Sequence, residues 1–216
     1  MERAIPYRNA SAEIHREGFV ARGRRLEYLT IAWNIFEAAV ALLSGLLARS
    51  IALVGFGLDS VIETASALIL LWRLQTDHDT EHREHAERVA RRLVGISFLL
   101  LSAYVAIQSI HALWTREHSS RSLPGILIAA AAVIVMPLLG RAKRQVAAQL
   151  NSRALHSDSK QADFCAYLSA IVLVGLVLQW LFGWWWADPV AALVMVPIIA
   201  REGVQGLRGR ACEDCH

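Results

Sequence analysis

Residues 51–72 read IALVGFGLDSVIETASALILLW, and this stretch decides the fold class of the chain. It is apolar apart from a few small polar residues and two acids, Asp59 and Glu63. A helix needs about 20 mostly apolar residues to cross the hydrocarbon core of a bilayer. The stretch therefore predicts a transmembrane helix that carries two carboxyl groups in its middle.

Five other apolar runs have the length, or nearly the length, of a membrane span. With residues 51–72 they make six predicted spans, and an even number places both termini on the same side of the membrane. The sequence therefore predicts an all-α membrane protein with six transmembrane helices. The other five runs are residues 28–47, 93–114, 123–140, 162–186 and 188–200.

The basic residues predict the orientation of these spans. The segments before the first span, between the second and third, between the fourth and fifth, and after the sixth are rich in arginine. The opposite set of connections holds only Arg49, Arg116 and Arg121. Because short cytoplasmic loops carry an excess of basic residues, we expect both termini to be cytoplasmic. The chain then divides into a cytoplasmic arm (1–27), a transmembrane domain (28–205) and a short tail (206–216).

The composition agrees with a membrane protein. Of the 216 residues, 55% are hydrophobic and 19% are charged, whereas soluble domains average about 45–50% and about 25%. The net charge is +3, and the cations lie between apolar runs rather than on one face, so nucleic-acid binding is not expected. The sequence contains neither Gly-x-Ser-x-Gly nor His-Glu-x-x-His. We therefore expect no enzymatic activity and no organic cofactor.

Three acidic residues lie well inside predicted spans, away from their ends, where an ionisable side chain costs about 2.5–3.5 kcal/mol. They are Glu37, Asp59 and Glu63. Asp59 and Glu63 are four residues apart, so they project from one face of a helix. Two neighbouring carboxylates repel unless a proton or a cation lies between them, and oxygen ligands suit divalent cations. We therefore predict a metal site at Asp59 and Glu63. The alternative is a protonated pair that is hydrogen-bonded to neighbouring helices.

The fifth span offers a second set of candidate ligands. Gln161 and Cys165 are also four residues apart, and Asp158 lies about one turn before Gln161. A thiolate favours zinc and softer metals, and an amide oxygen is a weaker ligand. We predict Gln161 and Cys165 as metal ligands with Asp158 as a supporting residue. Cys165 taken alone could equally be a small buried apolar residue.

The first span carries two further polar residues on one helix face. Asn34 and Glu37 are three residues apart. For this pair, packing or hydrogen bonds to the ligands are a better interpretation than direct ligation.

The connection between the second and third spans, about residues 74–92, is rich in histidine. His78, His82 and His85 follow the i, i+4, i+7 spacing of one helix stripe, with acidic residues beside them. Imidazole and carboxylate groups together suit zinc, so an accessory metal site is one interpretation. A solvated helical extension with charge pairs is the other.

The last five residues contain Cys212, Cys215 and His216. Two thiols and an imidazole could hold a soft metal, or the thiols could pair between subunits. A disordered tail without a role is an equally good interpretation.

Two segments resemble the cation diffusion facilitator family, whose members export zinc and related divalent cations. Residues 48–63, ARSIALVGFGLDSVIE, are similar to the family's second span, and its ligand pair falls on Asp59 and Glu63. The family's fifth-span pattern, Ala-Asp-x-x-His-x-x-x-Asp, places Gln161 at the His position and Cys165 at the second Asp position. Residues 183–200, GWWWADPVAALVMVPIIA, resemble the start of the family's sixth span.

The resemblance implies a secondary transporter that moves a divalent cation, zinc first, out of the cytoplasm by proton antiport. It implies a homodimer in a lipid bilayer and an accessory metal site near His82 and His85. For the location we expect the plasma membrane of a bacterium. The similar branch lacks the family's cytoplasmic C-terminal domain. Because Gln161 and Cys165 depart from the family's ligands, a metal-binding membrane sensor or scaffold without transport is the alternative function.

Overall fold

The computed structural model describes the backbone of residues 7–75, 80–150 and 153–208, and the side chains of residues 18–19, 21–68, 71, 92–150 and 159–208. These ranges form six α-helices without a strand. Each helix contains a segment long and apolar enough to cross a membrane. The prediction of an all-α membrane protein with six transmembrane helices is confirmed, and the side on which the termini lie stays a prediction. The helices are α1 (Tyr7–Ala48), α2 (Ile51–Gln75), α3 (Thr80–Thr115), α4 (Leu123–Leu150), α5 (Arg153–Phe182) and α6 (Ala187–Arg208).

Most helices are longer than the apolar runs from which they were predicted. Helix α1 begins at Tyr7, so residues 7–27 continue the first span as helix. Helix α4 runs to Leu150, and α3 begins at Thr80, well before its apolar run. A helix satisfies its own backbone hydrogen bonds, so it can extend into a polar stretch beyond the membrane. Hydropathy therefore marks the membrane-crossing part of a helix rather than its ends.

Helix α5 ends earlier than its apolar run. Its last residue is Phe182, and the predicted span to residue 186 is wrong at this boundary. Gly183 adopts a left-handed φ of 66°, and its amide donates to the carbonyl of Gln179 at 3.0 Å. This is the usual glycine termination of a helix. The three tryptophans that follow lie in the connection to α6, which begins at Ala187.

The helices pack as a four-helix group, α1, α2, α4 and α5, with α3 and α6 packed against each other beside it. The α1–α2 hairpin is antiparallel, since a Cβ on Gly45 would meet Val54 and one on Gly57 would meet Leu42. We call the end of the bundle that holds the start of α1 and the end of α6 the termini end. The opposite end, with the connections 49–50, 116–122 and 183–186, is the loop end.

At the loop end, Asp188 fixes the start of α2 against the start of α6. It is buried, it accepts a hydrogen bond from the Ser50 hydroxyl at 2.5 Å, and it accepts another from the Ile51 amide at 2.9 Å. A carboxylate at this position satisfies an amide that has no partner within the helix. Asp188, the first residue of the predicted sixth span, therefore also helps to fix the position of α2.

Helices α3 and α6 approach closely at a pair of glycines. A Cβ on Gly203 would lie 2.9 Å from the Gly95 carbonyl oxygen and 3.0 Å from the Leu99 amide nitrogen. Both neighbours are backbone atoms, which cannot rotate away. The α3–α6 contact thus depends on the absence of a side chain at Gly203, as small residues allow in membrane helix pairs.

We expect Gly203→Ala to lower the free energy of unfolding by about 1–3 kcal/mol, because the added methyl group must push the two backbones apart. Thermal unfolding of the protein in detergent measures the change. Gly18→Ala is the control, since a Cβ at Gly18 meets nothing within 4 Å and alanine favours a helix interior. Equal unfolding temperatures for Gly203→Ala and the wild type would contradict the packing described here.

Candidate metal centre

Asp59, Glu63 and Cys165 come together between α2 and α5. Each offers one ligand atom, and these atoms all lie within 4.8 Å of one another. The side chains are buried, with 0%, 5% and 0% of their surface exposed. The four-residue spacing aligns the two acids on one face of α2, and α5 brings the thiol to that face. Two carboxylates and a thiolate are a donor set that suits zinc and related divalent metals.

The Asp59 carboxylate differs from its neighbours in its hydrogen bonding. Neither of its oxygens accepts a hydrogen bond among the described residues, although the side chain is completely buried. Glu37 on α1 and Glu202 on α6 interact with it electrostatically, and both are acidic. Buried polar groups are normally paired, and an unpaired buried charge is costly. A bound proton or cation would therefore stabilise the buried Asp59 carboxylate.

The Glu63 carboxylate, by contrast, is held from two sides. The Gln161 side-chain amide donates to its Oε1 at 3.0 Å, and the Asn34 side-chain amide donates to its Oε2 at 3.2 Å. Both residues were predicted near this site, Gln161 as a ligand and Asn34 in a supporting role. In the structure Gln161 presents its amide nitrogen to Glu63, so it acts here as a donor that orients the carboxylate.

Glu37 lies behind the cluster and connects three helices. Its Oε1 accepts from the Ser60 hydroxyl at 2.6 Å, and its Oε2 accepts from the indole nitrogen of Trp33 at 2.6 Å. The Cys165 sulfur lies 3.6 Å from Oε1 as a donor. These contacts are hydrogen bonds to the side chains around the cluster, and the supporting role of Glu37 stays a prediction.

Three residues near the centre were missed by the sequence reasoning. Trp33 and Ser60 contact Glu37, and their signal was available, because Trp33 is one helical turn before Glu37 and Ser60 follows Asp59 directly. Glu202 lies beyond residue 200, where the sixth span was predicted to end. A span drawn on hydropathy alone excludes such a residue.

Several predicted residues cannot be placed. His78, Cys212, Cys215 and His216 lie outside the described residues. The backbones of His82 and His85 belong to α3 and that of Asp158 to α5, but their side chains are likewise outside the described part. The accessory sites and the supporting role of Asp158 stay predictions.

A six-helix membrane bundle with a buried pair of carboxylates and a thiol defines an integral, multi-pass membrane protein with the chemistry of a cation site. Comparison with protein families agrees, since the cation efflux transmembrane domain matches residues 28–209. This match covers most of the chain. The chain therefore belongs to the cation efflux family, the cation diffusion facilitators that its sequence resembles.

Individual proteins are also similar to this chain in sequence. An uncharacterized transporter of Synechocystis is 27% identical over 150 residues, covering 67% of this chain and 48% of the relative. Transmembrane protein 163 of Xenopus laevis is 31% identical over 138 residues, covering 62% and 47%. An uncharacterized transporter of Methanocaldococcus jannaschii is 22% identical over 179 residues, covering 80% and 63%. The chain thus matches about half to two thirds of the length of these curated relatives.

We expect Trp33→Phe to destabilise the protein by about 1–3 kcal/mol, because it keeps an aromatic ring but removes the donor to a buried Glu37 oxygen. Thermal unfolding in detergent measures the effect. Trp114→Phe is the matched control, since Trp114 is 88% exposed and should leave stability nearly unchanged. Equal effects of the two substitutions would show that the Trp33–Glu37 hydrogen bond does not stabilise the site.

Proposed function

We propose that this chain binds a divalent metal ion, zinc first, at Asp59, Glu63 and Cys165 and exports it from the cytoplasm in exchange for protons. Membership of the cation efflux family supports cation transport as the general function. The observation that carries the specific proposal is the buried cluster whose three ligand atoms lie within 4.8 Å of one another.

The geometry favours a small, borderline-soft cation. Zinc binds carboxylate oxygen at about 2.0–2.2 Å and thiolate sulfur at about 2.3 Å, so the ligands of a tetrahedral site lie ~3.5 Å apart. Because the three ligand atoms lie within 4.8 Å of one another, they need to contract by at most about 1.3 Å to reach that spacing. A fourth ligand comes from water or from the Gln161 carbonyl oxygen after rotation of its amide. Magnesium and calcium prefer oxygen alone, and the Cys165 sulfur disfavours them.

Proton coupling follows from the same ligands. A metal ion binds the deprotonated carboxylates and thiolate, so metal and protons compete for the same atoms. The Asp59 oxygens have no hydrogen-bond donor among the described residues, which leaves them to these two competitors. A centre that opens to one side at a time then exchanges metal for protons across the membrane. We propose further that the protein acts as a homodimer in the plasma membrane of a bacterium.

The alternative is a membrane sensor or scaffold that binds metal without moving it. The observation in its favour is the Gln161 amide, which donates to Glu63 at 3.0 Å instead of offering an oxygen. Metal binding by the wild-type protein without any flux would establish this alternative.

Asp59→Asn should abolish zinc uptake into proteoliposomes under an imposed pH gradient, because it removes the negative charge with no hydrogen-bond partner at the centre of the site. A zinc-sensitive dye inside the vesicles reports the rate, which should fall to that of protein-free vesicles. Asp163→Asn is the matched control, since Asp163 is half-exposed and paired with Arg144, and it should transport normally. Wild-type uptake by Asp59→Asn would reject the site.

Cys165→Ser should weaken cadmium binding more than zinc binding, because it exchanges a soft sulfur ligand for a hard oxygen of similar size. We expect cadmium affinity to fall by at least about 10-fold, since loss of a group that only supports a metal ligand typically costs about 10–100-fold. Calorimetry on the purified protein measures both metals, and manganese is the internal control because it gains nothing from sulfur. An unchanged ratio of cadmium to zinc affinity would remove Cys165 from the ligand set.

A further inference from the structure

Helix α1 carries a stripe of buried polar side chains that leads from the termini end to the proposed metal centre. The stripe consists of Glu27, Thr30, Asn34 and Glu37, all of them buried. Their spacing of three, four and three residues places them on one helix face. The stripe spans ten residues, or about 15 Å along the helix axis. Its inner end is at the centre, since Asn34 donates to Glu63.

On the opposite side of the centre the large buried side chains nearest the ligands are apolar, and the small Ser169 hydroxyl there donates to the backbone carbonyl of Cys165. Phe56 lies one turn from Asp59 towards the loop end, and Leu168 and Val172 lie about one and two turns from Cys165 in the same direction. All three are completely buried. A hydrated ion does not pass through a packed apolar layer of this kind. In this conformation the polar connection of the centre therefore runs towards the termini end.

An ion pair closes the outer end of the polar stripe. The Lys143 ammonium on α4 lies 3.2 Å from Oε2 of Glu27, and their side chains are only 1% and 4% exposed. Ion pairs this deeply buried are rare, because desolvation offsets much of the attraction between the charges. By contrast, the ion pair of Arg144 with Asp163, between α4 and α5, is only partly buried, because its side chains are 35% and 39% exposed.

We propose that the Glu27–Lys143 ion pair is the gate of the metal centre on the termini side. While the gate is closed, the Lys143 ammonium is paired with the Glu27 carboxylate. An incoming divalent cation competes for that carboxylate, and the two positive charges repel, so the ammonium withdraws and α1 and α4 separate. The pair reforms after the metal has reached Asp59, and the gate admits cations because its carboxylate is the first acidic group on the stripe. This inference rests on the proposed function, since it assumes that the centre binds a metal.

A purely structural role is the competing explanation, in which the pair only holds α1 against α4. The two differ in what happens to the centre when the pair is broken. A gate exposes the centre when one partner is neutralised, whereas a structural contact changes stability and leaves access to the centre unaltered. Cys165 reports this difference directly, because it is a buried free thiol at the centre.

The test measures the labelling rate of Cys165 by the small cationic reagent 2-aminoethyl methanethiosulfonate, in the full chain with Cys212→Ser and Cys215→Ser. Glu27→Gln and Lys143→Met should each raise the rate by about tenfold or more, since a broken buried pair is strongly disfavoured in the closed state. The charge swap of Glu27→Lys with Lys143→Glu should return the rate towards that of the parent. Asp163→Asn is the matched control on the exposed pair and should leave the rate unchanged.

Zinc protection separates this proposal from the proposed function. Slower labelling in the presence of zinc shows that Cys165 lines a metal site, whatever the rate of transport. Parent-like labelling rates in Glu27→Gln and Lys143→Met, with zinc protection intact, would overturn the gate and leave the proposed function standing. If either variant fails to fold, Glu27→Asp is the second variant. It keeps both charges but shortens the acidic side chain by one methylene, which widens the gap to the Lys143 ammonium. Cys165 in this variant should be labelled at an intermediate rate. Parent-like labelling of Glu27→Asp, with Asp163→Asn also unchanged, would then overturn the gate.

Discussion

A carboxylate inside a membrane bundle must be neutralised or hydrogen-bonded, and the three acids of this site meet that constraint in different ways. Glu63 accepts from Asn34 and Gln161, and Glu37 accepts from Trp33 and Ser60. Asp59 has no such donor among the described residues. The chain thus stabilises two acids through its own donors and leaves the third without one, which is the arrangement that the proposed release of a bound ion would need.

The helices divide this work between them. Helix α2 supplies both acids of the cluster, α5 supplies the thiol, and α1 supplies donors that hold Glu63 and Glu37 in place. The position of α2 is fixed at the loop end by Asp188 at the start of α6. A ligand pair on one helix needs such support, because a shift of one residue would turn both carboxylates away from α5.

The sequence predicted what a single helix determines. An apolar run predicted each span, although the runs of the fourth and sixth spans were short, and the spacing of Asp59 and Glu63 predicted a shared face. It could not predict contacts that depend on how two helices face each other, such as the hydrogen bond from Asn34 to Glu63 or the ion pair of Glu27 with Lys143. Lys143 lies in a basic stretch that resembles an ordinary cytoplasmic loop. Only the extension of α4 to Leu150 turns that stretch into a buried helix face.

Buried polar and large buried apolar side chains are distributed unequally between the two sides of the centre. On the termini side of the centre the buried face of α1 carries a carboxylate, a hydroxyl and an amide, whereas on the loop side the large buried side chains near Asp59 and Cys165 are apolar. A fixed structure of this kind can exchange ions with one side of the membrane only. Access from the other side requires the apolar layer around Phe56 and Leu168 to open. Among the described residues that layer holds no ion pair, so its opening exposes apolar surface to water, which the hydrophobic effect opposes. In the gating that we propose, the Glu27–Lys143 pair and the apolar layer resist opening by different physical means, and an incoming cation lowers the barrier at the charged pair alone.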